Sequence, residues 1–120
     1  MEKEVAEQKR QYYRLKYPKK ARPLIRIGDQ LIPVSEVSEK GIRIVRHDFS
    51  ALYKGLIMAG ILRLHGDRQI PVQGPILRFD GNEVIIKLDE GITFKDMFEE
   101  QRYIRQKYPV HFTNQNRQTD

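Results

Sequence analysis

Residues 24–46, LIRIGDQLIPVSEVSEKGIRIVR, hold three short apolar segments separated by two turns. Leu24 to Ile27 and Leu31 to Val37 flank Gly28-Asp29-Gln30, and Gly41 to Arg46 follows Ser38-Glu39-Lys40. In the last segment Ile42 and Ile44 share one face while Arg43 and Val45 share the other. That two-residue period is what a strand with one dry and one wet side requires. Gly and Asp at the breaks are residues that a reversing backbone accepts at little cost. Segments this short, bounded in this way, predict a small all-β domain.

The pattern continues downstream. Leu56 to Leu64 and Ile70 to Phe79 lie on either side of His65-Gly66-Asp67-Arg68, and Asp80-Gly81-Asn82 precedes Glu83 to Leu88. In that last segment Val84, Ile86 and Leu88 alternate with Glu83, Ile85 and Lys87. Six strands at hairpin spacing predict a closed or nearly closed antiparallel barrel, which removes exposed sheet edges. The period then changes. Phe94, Met97, Phe98, Ile104 and Tyr108 recur at helical spacing with Gln101 in the stripe, Thr93 and Asp96 stand at the start, and Pro109 at the end. A capped helix over about 93–108 is predicted, its aromatic stripe packed on the barrel.

Upstream the composition shifts. From Lys9 to Arg26 there are eight basic residues, Lys9, Arg10, Arg14, Lys16, Lys19, Lys20, Arg22 and Arg26, and no acidic one. The whole chain carries a formal charge of +6. Such a block attracts phosphates. Pro18 and Pro23 bracket Lys19 to Arg22, which reads as an extended connector. The 120 residues fit one domain. The expected division is a flexible basic arm over 1–22, a barrel with its helix over 23–112, and a disordered polar tail over 113–120.

Several function classes find no support. Without cysteine there is neither a disulfide framework nor a thiolate metal site. His47, His65 and His111 are scattered, and Ser35, Ser38 and Ser50 lie in no nucleophile elbow. Gly55 and Gly60 have phosphate-loop spacing, but Ile61-Leu62 follows in place of Lys-Ser or Lys-Thr. The Glu-rich stretches read as helix surface. Neither enzyme activity nor a metal or cofactor is expected. No apolar run approaches membrane-spanning length and the first residues, Met-Glu-Lys-Glu, do not read as a secretory signal, so a cytoplasmic protein without membrane insertion is expected.

Two motifs carry the functional reading. Arg10-Gln11-Tyr12-Tyr13-Arg14 sets two guanidiniums four residues apart, with Lys9 beside them. Guanidinium clamps phosphate bidentately, meets a guanine edge at O6 and N7, and stacks on purines. Glu36-Val37-Ser38-Glu39-Lys40-Gly41 lies between two strands. Ser38 can donate or accept, Gly41 permits close backbone approach, and the Glu36 carboxylate can accept from guanine N1 and N2.

In this order the two motifs resemble the PilZ family, whose pattern is RxxxR in an N-terminal arm and then [D/N]xSxxG on the barrel. Arg10 and Arg14 match the first, Ser38 and Gly41 the second, and Glu36 stands where the family has Asp or Asn. The resemblance runs from about Lys9 to Tyr108. It implies a mainly β protein, a six-stranded antiparallel PilZ-type barrel with a C-terminal helix packed on it. It also implies a non-enzymatic receptor for cyclic di-GMP, with Lys9, Arg10, Arg14, Glu36, Ser38 and Gly41 at the ligand and an unidentified effector protein as partner. The extra methylene of Glu36 implies a shifted pose or weaker binding. Asp48-Phe49-Ser50 has a similar look, but Tyr53 occupies its Gly position. A PilZ-like adaptor without nucleotide and a nucleic-acid-binding barrel are the alternatives. Nucleic acid is not expected, because the strands lack interleaved exposed aromatics for base stacking.

Overall fold

The computed structural model of the chain describes residues 14–46 and 51–111. In chain order the strands are β1 (Leu15–Lys16), β2 (Leu24–Ile27), β3 (Gln30–Ser38), β4 (Gly41–Val45), β5 (Ile57–Leu64), β6 (Arg68–Asp80) and β7 (Glu83–Lys87). A 3-10 turn at Lys19–Ala21 separates β1 from β2, and helix α1 spans Phe94–Lys107. The strands run β3-β2-β5-β6-β7-β4, and β4 pairs back to β3. All pairings are antiparallel, so six strands close a barrel and β1 lies outside, on β3. The predicted barrel is found, with this one added strand.

Closure depends on two long strands that change neighbours. Along β3, Gln30 to Pro33 pair with β2, and Val34 to Ser38 pair with β4. Along β6, Arg68 to Pro75 pair with β5, and Ile76 to Asp80 pair with β7. Each has a register shift near the changeover, between Val34 and Glu36 and between Ile76 and Arg78. A bulge bends and twists a strand locally, which lets a sheet turn the corner of a small barrel. At Gly74 the chain passes so close to β7 that a Cβ would lie 1.8 Å from the Lys87 carbonyl oxygen. Only glycine fits there.

The inward residues include those the alternation marked, Ile42, Ile44, Val84, Ile86 and Leu88. Ile25, Ile42, Ile44, Leu62, Ile76, Val84 and Ile86 are buried and belong to one cluster. They fill the interior, which leaves the outer surface for any ligand.

Helix α1 begins as predicted: the Asp96 N–H donates to Thr93 Oγ1 at 3.1 Å, and that hydroxyl donates to Asp96 Oδ2 at 3.0 Å. The predicted aromatic stripe does not hold. Phe94 and Phe98 are 71% and 52% exposed, while Met97, Glu100 and Ile104 face the barrel. At about 100° per residue, Phe94 and Phe98 lie roughly 80° and 120° around the axis from Ile104. Glu100 sets this orientation, and it corrects the reading of the Glu-rich stretch as surface.

Glu100 has no solvent exposure. The Tyr17 hydroxyl donates to Oε1 at 2.5 Å, and the His65 ring Nδ1 lies 3.0 Å from the same oxygen. The His65 backbone N–H and Arg68 Nη2 donate to Oε2 at 2.9 Å and 2.8 Å. Arg68 also donates to Asp96 Oδ1 at 2.9 Å, and the His65 ring stacks on Tyr103 at 4.0 Å between centroids. A buried carboxylate is tolerable only when paired and hydrogen-bonded in this way.

The same contacts move the boundary of the arm. A flexible segment was expected as far as residue 22, yet Leu15, Tyr17 and Ala21 are buried and the Tyr17 N–H donates to the Ser35 carbonyl. Leu15, Tyr17 and Ala21 therefore belong to the packed body. Apolar side chains alternating with basic ones let one edge bury while the other stays wet. Lys9 and Arg10, the tail over 113–120 and Asp48-Phe49-Ser50 lie outside the described residues.

Two stability outcomes are expected. Glu100→Ala leaves the buried Tyr17 hydroxyl and the His65 backbone N–H without their acceptor, while Arg68 keeps Asp96, and should cost about 1–3 kcal/mol in urea denaturation. The Tyr17 hydroxyl is raised well above the usual tyrosine range by burial first, then by the Glu100 charge and the bond to it, with Arg68 opposing. Above about pH 10 the unfolded chain loses this proton before the folded one. The contribution is therefore whole below that pH and declines as pH rises toward the folded value. Tyr17→Phe should cost about 1–3 kcal/mol near neutrality, and its deficit against the parent should shrink in alkaline urea titrations. A deficit constant with pH would contradict this.

Candidate ligand-binding face

Strand pairing alone places the motif residues together. Residues opposite one another in antiparallel strands share a face. Lys16 pairs with Glu36, Glu36 with Arg43, Arg43 with Ile85, and Ile85 with Arg78. The next row holds Ser38 opposite Gly41 and Gly41 opposite Lys87. Because Leu15 pairs with Val37 and Lys16 with Glu36, extending the register sets Arg14 opposite Ser38. Arg14 is exposed, on the same outer side as Lys16.

The two rows thus gather Arg14, Lys16, Glu36, Ser38, Gly41, Arg43, Arg78 and Lys87 on one outer surface of β1, β3, β4, β7 and the end of β6. The face has a cationic side at Arg14 and Lys16, a cationic side at Lys87 and Arg78, and an acceptor between them. Neighbouring strands are about 4.8 Å apart, so Arg14 and Lys87 stand roughly 14 Å apart across the sheet.

Each central residue has a local cause. Ser38 Oγ donates to the Gly41 carbonyl at 3.2 Å, closing the β3–β4 turn, and its lone pairs remain free to accept. A Cβ on Gly41 would meet the Ile86 carbonyl at 3.3 Å and Ser38 Oγ at 3.8 Å. The bare backbone there keeps the floor of the face low. Glu36 is held down on the sheet, its side chain 13% exposed, with Oε2 at 3.9 Å from Arg43 Nε. Arg43 Nη1 donates to Asp80 Oδ2 and to Glu83 Oε1, both at 3.0 Å. Partial burial alone would lower the Arg43 pKa; the bonds to Asp80 and Glu83, with the Glu36 charge, outweigh it and hold the value above the usual one.

The structure thus brings together Arg14, Glu36, Ser38 and Gly41; Lys9 and Arg10 fall outside the described residues. Sequence reasoning missed Lys16, Arg43, Arg78 and Lys87. Alternation had put Arg43 and Lys87 on outward faces, but no sequence signal tied Arg43 to Asp80 and Glu83, which lie 37 and 40 residues away. Arg78 was hidden by the bulge beside it, which displaces the simple alternation.

The face combines cations for phosphate, a carboxylate for an N–H edge, and a hydroxyl beside open backbone. If a phosphate-bearing ligand sits here, Arg14→Ala should weaken it by on the order of tenfold and Lys87→Ala by a few-fold, as for charge-assisted hydrogen bonds. Lys54→Ala, in the loop before β5, should leave titration curves with cyclic di-GMP unchanged.

No family model matches the sequence, and no curated protein matches it significantly. Among solved structures the chain is similar to the Bacillus subtilis inhibitor of motility MotI/DgrA, a PilZ-domain protein, with a TM-score of 0.62 and 23% identity. That alignment covers 83% of this chain and 51% of the other, so the chain spans about half the neighbour's length. An uncharacterized Legionella protein aligns with a TM-score of 0.50 and 13% identity, over 90% of this chain and 99% of that one. The barrel is PilZ-like in fold. No helix among the described residues is long and apolar enough to cross a membrane.

Proposed function

We propose that this chain is a non-catalytic receptor for cyclic di-GMP, which it binds on the outer face of β1, β3, β4 and β7. What supports the reading is the β3–β4 register, which sets Glu36 and Ser38 on one outward face opposite Arg43 and Gly41, with Lys16 of β1 opposite Glu36 and exposed Arg14 two residues before Lys16. Glu36, Ser38 and Gly41 of the second motif lie on that surface, in a PilZ-like fold. A ligand with two phosphodiesters and two guanines uses what the face offers. Arg14, together with Arg10, takes phosphate and a guanine face. Ser38 and the open backbone at Gly41 take the ribose-phosphate edge, Glu36 accepts from guanine N–H groups, and Lys9 adds charge.

Signal output follows from chain continuity. Arg14 is followed three residues later by Tyr17, whose hydroxyl bonds Glu100 on α1. A ligand that fixes the arm ahead of Arg14 acts on a segment already tied to the helix, and changes the surface offered to an effector protein. Ordering the arm consumes part of the interaction energy. The neighbour's name is that of an inhibitor of motility; for this chain, control of motility or biofilm in a bacterial cytoplasm is the corresponding proposal.

Calorimetric titration with cyclic di-GMP tests the reading. Saturable binding is expected, lost or reduced at least tenfold in Arg14→Ala and not competed by GMP at equal concentration. No heat at high ligand concentration would overturn it in favour of a protein-only adaptor. Binding of single-stranded nucleic acid with steep salt dependence and no discrete stoichiometry would favour a generic basic surface instead.

A further inference from the structure

We infer that Arg43 is the positioning residue that fits Glu36 to a guanine edge, and so sets the selectivity of the face for guanine over adenine. The inference rests on the cyclic di-GMP reading of the same face. A glutamate carboxylate reaches about 1.5 Å further than an aspartate one and has one more rotatable bond, so an unsupported Glu36 would sweep a volume instead of marking a point. Here it is supported. Arg43 lies directly opposite in the cross-strand register, and the Glu36 side chain is only 13% exposed.

The distances show what kind of support this is. Arg43 places its two short bonds, both 3.0 Å, on Asp80 and Glu83, and stands 3.9 Å from Glu36 Oε2. At 3.9 Å there is attraction but no hydrogen bond. The guanidinium therefore steers the carboxylate without itself hydrogen-bonding to it, and among the described residues the Glu36 lone pairs are left for paired N–H donors. A guanine presents two such donors side by side, at N1 and N2. Adenine's corresponding edge presents a bare ring nitrogen, which a carboxylate repels. Asp80 and Glu83, at the two ends of the β6–β7 turn, fix the guanidinium itself, so the placement is transmitted from that hairpin to β3.

The experiment is calorimetry on the full chain with cyclic di-GMP and cyclic di-AMP, using Arg43→Gln, Arg43→Lys, Glu36→Ala and the double variant Glu36→Ala with Arg43→Gln. Freeing one rotamer-rich side chain should weaken cyclic di-GMP by about three- to tenfold in Arg43→Gln and narrow the margin over cyclic di-AMP. In the Glu36→Ala background the same change should have no further effect. An equal loss in both backgrounds would mean that Arg43 touches ligand directly and would overturn the inference, as would full affinity and selectivity in a folded Arg43 variant. Arg43→Lys, which keeps the charge but not the fork, serves if Arg43→Gln does not fold, and should lose selectivity in the same direction. A parent chain that binds no cyclic di-GMP overturns the receptor reading together with this one; a parent that binds, with Arg43 variants indistinguishable from it, overturns this one alone.

Discussion

The Glu100 carboxylate is buried completely and receives donors from Tyr17, His65 and Arg68. A charge in that position is costly unless each lone pair is used, and the three residues that use them come from two other parts of the fold. Tyr17 belongs to the segment that carries β1, His65 and Arg68 to the β5–β6 turn, and Glu100 to α1. The helix is rotated so that this carboxylate, and not Phe94 or Phe98, faces the barrel. An apolar contact would have tolerated many helix positions. A set of hydrogen bonds with fixed directions tolerates one, and the candidate face depends on it because Tyr17 directly follows β1, which lays Lys16 opposite Glu36.

The barrel supplies the other constraint. It closes because β3 and β6 each pass from one neighbour to the next with a register shift at the crossing. Those irregularities lie beside the face: one adjoins Glu36, the other Arg78. The bends that close a small barrel thus also orient the side chains that make its outer surface polar and charged. Arg43 links the two regions, with Glu36 on one side and Asp80 and Glu83 on the other. The face is consequently firm at its centre, on β3 and β4, while the exposed lysines and arginines at its margins keep their freedom. Such a surface suits a flat, charged ligand better than a cavity-seeking one, and the filled interior agrees.

Strand and helix identity, inward residues such as Ile42, Ile44, Val84 and Ile86, the Thr93 cap and the outward placement of Arg43 and Lys87 were determined by the sequence itself. These follow from periodicity and turn chemistry, which act between residues near one another in the chain. Arg14, Glu36, Ser38 and Gly41 were singled out by order and spacing, and strand register decided that Glu36, Ser38 and Gly41 share an outward face. Tertiary structure decided the rest: that Leu15 and Tyr17 pack instead of remaining in a loose arm, that Glu100 is interior, that the helix turns Phe94 and Phe98 outward, and that Asp80 and Glu83 hold Arg43. Each of these depends on partners dozens of residues away. A single glutamate in a polar stretch carries no mark of the tyrosine, histidine and arginine that will meet it, because pairing of buried charge is a property of three-dimensional neighbours and leaves no period along the chain.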